Sequence, residues 1–128
     1  MPGRHVVVLR STVPPGTTTG KVLPWLEAAS GRQVGRELGL CHQLEFLREG
    51  QAIADFEDPA KTVIAASDED SAAQLISLYG GEGAPLARTD FATAELLKYV
   101  DNARHALKVG LPTRSAAWPT RSASTPAR

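Results

Sequence analysis

Leu38-Gly39-Leu40-Cys41-His42-Gln43-Leu44-Glu45-Phe46-Leu47-Arg48-Glu49-Gly50 decides how this chain is organised. Its first five residues have the length and composition of a short buried strand. The strand then opens into an acid, two apolar residues, a base, a second acid and a glycine. A carboxylate where a strand becomes a loop is well placed for chemistry, because sites in open α/β sheets form just beyond strand ends. Taken alone, the same run reads first as a solvated turn.

The flanks repeat a strand–turn–helix rhythm. On the N-terminal side, His5 to Leu9 is a β-branched run and hence a strand, and Arg10-Ser11-Thr12-Val13-Pro14-Pro15-Gly16 is a turn. Val22, Leu23, Leu26 and Ala29 then recur at helical spacing over Thr17 to Ala29. Pro24 either kinks this helix or marks its first turn, and Ser30-Gly31 closes it. On the C-terminal side, Gln51 to Phe56 forms a helical turn that Asp58-Pro59 breaks. Lys61 to Ala66 is a strand. Ser67 caps a helix over Asp68 to Tyr79, with Ala72, Leu75, Ile76 and Tyr79 on one face. Gly80-Gly81-Glu82-Gly83 is a loop and Ala84 to Arg88 a strand. Thr89 or Asp90 caps a long helix from Phe91 to Val109. This alternation predicts an α/β fold with a mostly parallel sheet and no internal repeat.

With 128 residues the chain suits one domain with a real core. Fourteen basic and 14 acidic residues cancel, so nothing favours electrostatic capture of nucleic acid or of an anionic membrane. The single cysteine, Cys41, excludes an intramolecular disulfide. Its setting predicts a buried, inert thiol, and the histidines near it lack the further ligands a metal needs. No apolar run approaches the roughly 20 residues that cross a bilayer, and Met1-Pro2-Gly3-Arg4-His5 lacks a secretory pattern. A cytoplasmic location is expected.

Three long motifs resemble one family. RSTVPPGTT (residues 10–18), EFLREGQAIADFEDPAKTVI (45–64) and TAELLKYVDNARHALKV (93–109) are similar to the nucleotide-sugar 6-dehydrogenases, which include the UDP-glucose and GDP-mannose dehydrogenases. The resemblance runs over roughly residues 5 to 110. It implies the C-terminal part of a Rossmann-like NAD-binding domain over residues 1–90, and the start of a long central dimerisation helix over 91–110. Such enzymes oxidise a primary alcohol of the sugar to a carboxylate and reduce two NAD, so protein groups must move protons, stabilise an alkoxide and trap an aldehyde.

The resemblance assigns roles residue by residue. Thr12 would orient a catalytic water, and Ser11, Thr12 and Val13 would line NAD. Without the family, a hydroxyl satisfying its own turn is the preferred reading of Thr12. Glu45 would act through water as general base, with a pKa raised by partial burial. Phe46 and Leu47 would flank the nucleotide sugar. Glu49 would approach the nicotinamide end of NAD, or else form an ordinary surface pair with Arg48. Lys98 and Asn102, four apart on one helical face, would stabilise the alkoxide and hydrogen-bond the reacting centre. Read alone, that face is simply solvated.

Two departures stand out. Gln43-Leu44 replaces a common Asn-Pro, which frees a backbone φ just before Glu45. Arg104 replaces a bulky apolar residue, and a charge there is unfavourable if buried. The sequence has no G-x-G-x-x-G, and Cys41 does not stand where the family's nucleophilic cysteine is expected. Residues 111–128 read by composition as a disordered tail. Synonymous codons for Leu111 onward, shifted by two bases, can spell ANEIGRLANALGVDTRE, which resembles the family's continuation and suggests a frameshift there.

The expectation is therefore a piece of an enzyme that oxidises GDP-mannose, or UDP-glucose, to a uronic acid for polysaccharide synthesis. HALKVG favours the GDP-mannose branch. Alone, the chain is expected to be inactive, and the family homodimer is not assured. The competing expectation is a non-catalytic remnant that associates through the helix from Phe91.

Overall fold

The computed structural model describes residues 3–79 and 85–116, with side chains as far as Leu111. The loop expected at Gly80 to Gly83, the first residue of the expected strand at Ala84, and residues 117–128 lie outside the described residues.

Four strands, β1 (His5–Leu9), β2 (Leu38–Gln43), β3 (Thr62–Ala66) and β4 (Leu86–Arg88), form one sheet in the order β1-β2-β3-β4. β1 pairs with β2, and β3 with β4, in parallel; β2 and β3 are antiparallel. The mixed α/β architecture and mostly parallel sheet match expectation. Four α-helices connect and cover the strands: α1 (Leu23–Ser30), α2 (Ala52–Glu57), α3 (Glu69–Tyr79) and α4 (Phe91–Ala116).

β2 is buried along its whole length, as a strand covered on both faces must be. Alternate side chains feed two cores. On one face Cys41, Ile64 and Leu75 pack with Val6, Val8, Ile76 and Tyr79 beneath α3. On the other, Leu44, Val63 and Ala65 pack with Phe46 of the loop after β2 and with Phe91, Ala94 and Leu97 of α4. Gly39 lets α3 come this close: a Cβ there would lie 2.2 Å from Ser71 Oγ and 2.9 Å from Val6 Cγ2.

Capping refines three expectations. Asp68, not Ser67, caps α3, accepting the Ser71 N–H at 2.9 Å. Ser67 instead accepts the Leu40 N–H at 3.0 Å and donates to Asp68 at 2.7 Å, which joins the sheet to the helix start. Arg4 completes this cluster with an ion pair to Asp68 at 2.5 Å. Asp90 caps α4 through the Thr93 N–H and hydroxyl. Pro24 sits in the first turn of α1, and a wide π-type turn over Thr18–Val22 precedes it. The backbone of α4 continues past Val109 to Ala116, through Pro112, so proline does not end the helix where composition predicts.

Candidate active site

Parallel register brings two loops to one end of the sheet. Leu9 of β1 pairs with His42 of β2. Three residues beyond that pair stand Thr12 on one strand and Glu45 on the other, so both emerge past the same carboxyl edge. β3 and β4 bring the chain up to α4, which returns across the sheet. Its inward stripe is Phe91, Ala94, Glu95, Lys98 and Asp101, the spacing of one helical face.

That stripe delivers Lys98 to Glu45. The Lys98 ammonium is 3.1 Å from Glu45 Oε1 and also donates to the Glu45 backbone carbonyl. Lys98 is only 9 % exposed at its side chain, whereas Glu45 is 31 % exposed. The lysine is thus built into the fold, and the carboxylate faces partly outward. The Leu47 N–H caps Glu45 Oε2 at 2.9 Å. Burial pushes the Glu45 carboxyl up, but the Leu47 N–H, the Lys98 ammonium and the Arg10 charge outweigh it and hold the group below its ordinary value. This corrects the expected upward shift: the Leu47 N–H and the Lys98 ammonium, with Arg10, together outweigh desolvation.

Glu45, Phe46 and Leu47 line a cleft of about 600 Å³ that also takes in Arg10, Lys61, Tyr79, Asp101, Arg104 and His105. The Phe46 ring carries Lys61 Nζ at 4.1 Å and Lys98 Nζ at 5.3 Å from its centroid. Lys61 is held by Asp101 at 3.0 Å. Opposite, the Arg10 guanidinium lies 5.3 Å from the Tyr79 ring centroid. The wall therefore combines aromatic faces with charges of both signs, which suits a ligand that is part polar ring and part anion.

The remaining expected site residues are placed differently. Ser11 and Thr12 are exposed and Val13 is half-buried in the turn after β1; among the described residues Thr12 makes no hydrogen bond with Glu45. Asn102 is exposed one turn beyond Lys98 and does not line the cleft. Glu49 is exposed, and Arg48 pairs with Asp55 at 2.6 Å instead of with Glu49. Arg104 is 76 % exposed, so its charge carries no burial penalty. Cys41 is fully buried, and its thiol is pushed up to about 11 by burial and by Asp68, against Arg4.

Sequence reasoning missed Glu95. It is 1 % exposed, and it accepts the Thr18 N–H at 2.7 Å, the Thr18 hydroxyl at 2.6 Å and the Gly16 N–H at 2.5 Å. The Thr18 oxygen also faces His42 Nδ1 at 3.5 Å. Burial lowers the His42 pKa against the opposing pull of Glu95. The available signal was an acid on the Phe91–Ala94–Lys98 face, where an unpaired carboxylate has no reason to sit.

The residues present suit only one end of a dinucleotide. The exposed turn beyond β1 offers the Ser11 and Thr12 hydroxyls as polar groups that could face part of NAD, and the sequence has no G-x-G-x-x-G to cradle its phosphates. Among the described residues no helix is long and apolar enough to cross a membrane.

Known proteins resemble this chain in sequence and in fold. Residues 1–81 match the NAD binding domain of the UDP-glucose/GDP-mannose dehydrogenase family. GDP-mannose 6-dehydrogenase of Pseudomonas savastanoi pv. phaseolicola is 47% identical over 106 residues, which cover 83% of this chain and 24% of that protein. UDP-glucose 6-dehydrogenase AglM of Haloferax volcanii is 38% identical over 112 residues, 84% of this chain and 26% of that protein. The crystal structure of a ternary complex of GDP-mannose dehydrogenase from Pseudomonas aeruginosa superposes with a TM-score of 0.80 at 42% identity, over 83% of this chain and 24% of that one. The chain thus spans about a quarter of the length of the relatives it matches. With the NAD-binding domain matched over residues 1–81, and relatives at this identity extending through the helix that holds Lys98 against Glu45, the chain belongs to the UDP-glucose/GDP-mannose dehydrogenase family.

Proposed function

We propose that this chain carries the sugar-facing acid–base pair and the nicotinamide-facing turn of an NAD-dependent nucleotide-sugar 6-dehydrogenase. GDP-mannose is the favoured substrate, because the similar GDP-mannose 6-dehydrogenases are 42–47% identical, whereas the similar UDP-glucose dehydrogenases are 35–40% identical. The product is the uronic acid, made in the cytoplasm for polysaccharide synthesis. The observation that carries the proposal is the Glu45–Lys98 pair, whose carboxylate partner lines the cleft.

The chemistry divides between the two. NAD, when bound, accepts the hydride from the sugar carbon. Lys98, paired with Glu45, stabilises the alkoxide that forms as the alcohol loses its proton. Glu45, ionised at neutral pH because its pKa is held low, accepts that proton through a water. Thr12 orients the water from the neighbouring loop. Phe46 and Leu47 seat the sugar nucleotide, Asn102 bonds the reacting centre, and Ser11, Val13 and Glu49 border the cofactor. These 128 residues do not turn over alone: they include no phosphate-cradling turn, and the thiol of Cys41 is buried and protonated.

Residue-resolved NMR titration with GDP-mannose tests the assignment. Shifts should concentrate at Glu45, Phe46, Leu47 and Asn102, and UDP-glucose should produce smaller ones. Shifts confined to other surfaces would defeat the proposal. NAD reduction by the isolated chain with either sugar would overturn the inactivity.

A second reading rests on a different observation. Leu96, Val100, Leu107 and Leu111 are all more than half exposed on α4. That surface suits a non-catalytic association role through α4, homodimeric as in the intact family. Sedimentation of the chain and of a Val100→Glu, Leu107→Glu variant separates the two: self-association lost in the variant favours it.

A further inference from the structure

We infer that Glu95 is a positioning residue that locks the cofactor-facing turn to the helix bearing Lys98. The inference rests on the proposed roles of that turn and of Lys98. Glu95 precedes Lys98 by three residues, about 4.5 Å along one face of α4. From that single helical turn two grips extend. Lys98 holds the loop after β2 through the Glu45 carbonyl and carboxylate. Glu95 holds the segment after β1 through Gly16 and Thr18. The two loops that would face sugar and cofactor are thereby tied to one rigid element.

The donor pattern requires a carboxylate. Oε1 accepts both Thr18 bonds, and Oε2 accepts the Gly16 N–H. An amide at this position offers one acceptor oxygen, so its NH2 would oppose a backbone N–H. An aspartate, one methylene shorter, would fall short of one partner. Because the site is buried, water does not replace the lost acceptor. Gly16 has a φ of +86° and open space where a Cβ would stand. Its carbonyl accepts the Gly20 N–H and the Pro14 carbonyl accepts the Thr17 N–H and hydroxyl, bonds made within the segment itself, whereas Glu95 ties the Gly16 N–H to a separate helix.

Amide hydrogen exchange on the full chain tests the clamp. In Glu95→Gln, exchange at Gly16 or Thr18 should quicken at least about tenfold, while Leu40 and Ile64 in the sheet keep their protection. Thr18→Val should speed exchange at the same turn and Thr18→Ser should not, which keeps the test available if Glu95→Gln fails to fold. Unchanged exchange at both amides, or equal loss throughout the sheet, would overturn the inference. An NADH titration adds the positioning readout: shifts at Ser11, Thr12 and Val13 in the native chain should weaken in Glu95→Gln, while shifts at Glu45 to Leu47 with GDP-mannose persist. Identical NADH shifts in both proteins would refute positioning. Absence of NADH shifts in the native chain, with the exchange result intact, would sink the cofactor role of the turn and leave the clamp standing.

Discussion

Replacing Lys98 with methionine separates the charge of this residue from its packing. Methionine keeps the buried stem and removes the ammonium. At 3.1 Å the Glu45–Lys98 attraction is roughly 5 kcal/mol gross at an effective dielectric of 20. Most of that offsets the burial of an ammonium that is 9 % exposed. The Glu45 carbonyl also loses its donor, while the Glu45 carboxylate, 31 % exposed, recovers part of its hydration. The net loss should be about 1–3 kcal/mol, or roughly 5–10 °C in Tm for a domain of this size. The sign with pH follows from the pKa. Glu45 is held below 4.5 in the folded chain, so its pairing stabilises fully above 4.5 and fades as pH falls through the folded value. The stability gap between native and Lys98→Met chains should therefore be widest at neutral pH and narrow in acid. Urea melts across pH measure the gap, and carboxyl NMR follows Glu45, whose midpoint should rise in the variant. An unchanged Glu45 midpoint would show that Leu47 and Arg10 alone set it, and the Glu45–Lys98 pair would lose its standing as a functional unit.

Gly39→Ala should destabilise by about 1–3 kcal/mol, because its Cβ meets Ser71 Oγ at 2.2 Å, and adding Ser71→Ala should recover part of the loss in denaturant melts. Asp68, about 18 % exposed, is held at about 2: burial raises it, but Ser67, Ser71 and Arg4 lower it more. It should contribute roughly 1–2 kcal/mol above pH 3.8, lost as pH falls toward 2, and Asp68→Asn should abolish that acid slope. Cys41 should resist a disulfide reagent at pH 8 in the native chain and react at once in denaturant; rapid native labelling would contradict its burial.

What was legible in the sequence follows a physical division. Strand and helix positions were readable because burial imposes periods of two and 3.6 residues: β2, β3, α3 and the start of α4 lie within a residue of their expected bounds, while α4 runs to Ala116 instead of Val109. The antiparallel direction of β2 against β3 was not readable, since a side-chain period is the same in either direction. The Glu45–Lys98 meeting was anticipated through motifs and not through local chemistry. The low Glu45 pKa was not, because its sign depends on an ångström-scale contact between residues 53 apart in sequence. Glu95 was hidden for the same reason: its partners lie 77 and 79 residues away, and nothing beside it in the chain advertises them.

The burial pattern of α4 explains why half of the expected constellation is assembled within these residues. From Phe91 to Asp101 the helix crosses the sheet, and each inward position has a partner: Ala94 meets Leu44 and Val63, Glu95 meets Thr18, Lys98 meets Glu45, and Asp101 meets Lys61. From Asn102 to Leu111 every residue is exposed. The boundary falls between Lys98 and Asn102, one turn apart on the same face. Lys98 is therefore positioned by the sheet that Glu45 leaves, whereas Asn102 stands where that sheet has ended. The same division separates Glu45, held by Leu47 and Lys98, from Thr12, which among the described residues is held through its own turn and, four residues on, the Gly16 link to Glu95. Two of the four expected catalytic residues, Glu45 and Lys98, are thus fixed by packing, while Thr12 connects to α4 through the Gly16 link to Glu95 and Asn102 extends from the same helix, so the packed stretch from Phe91 to Asp101 sets how the four stand relative to one another.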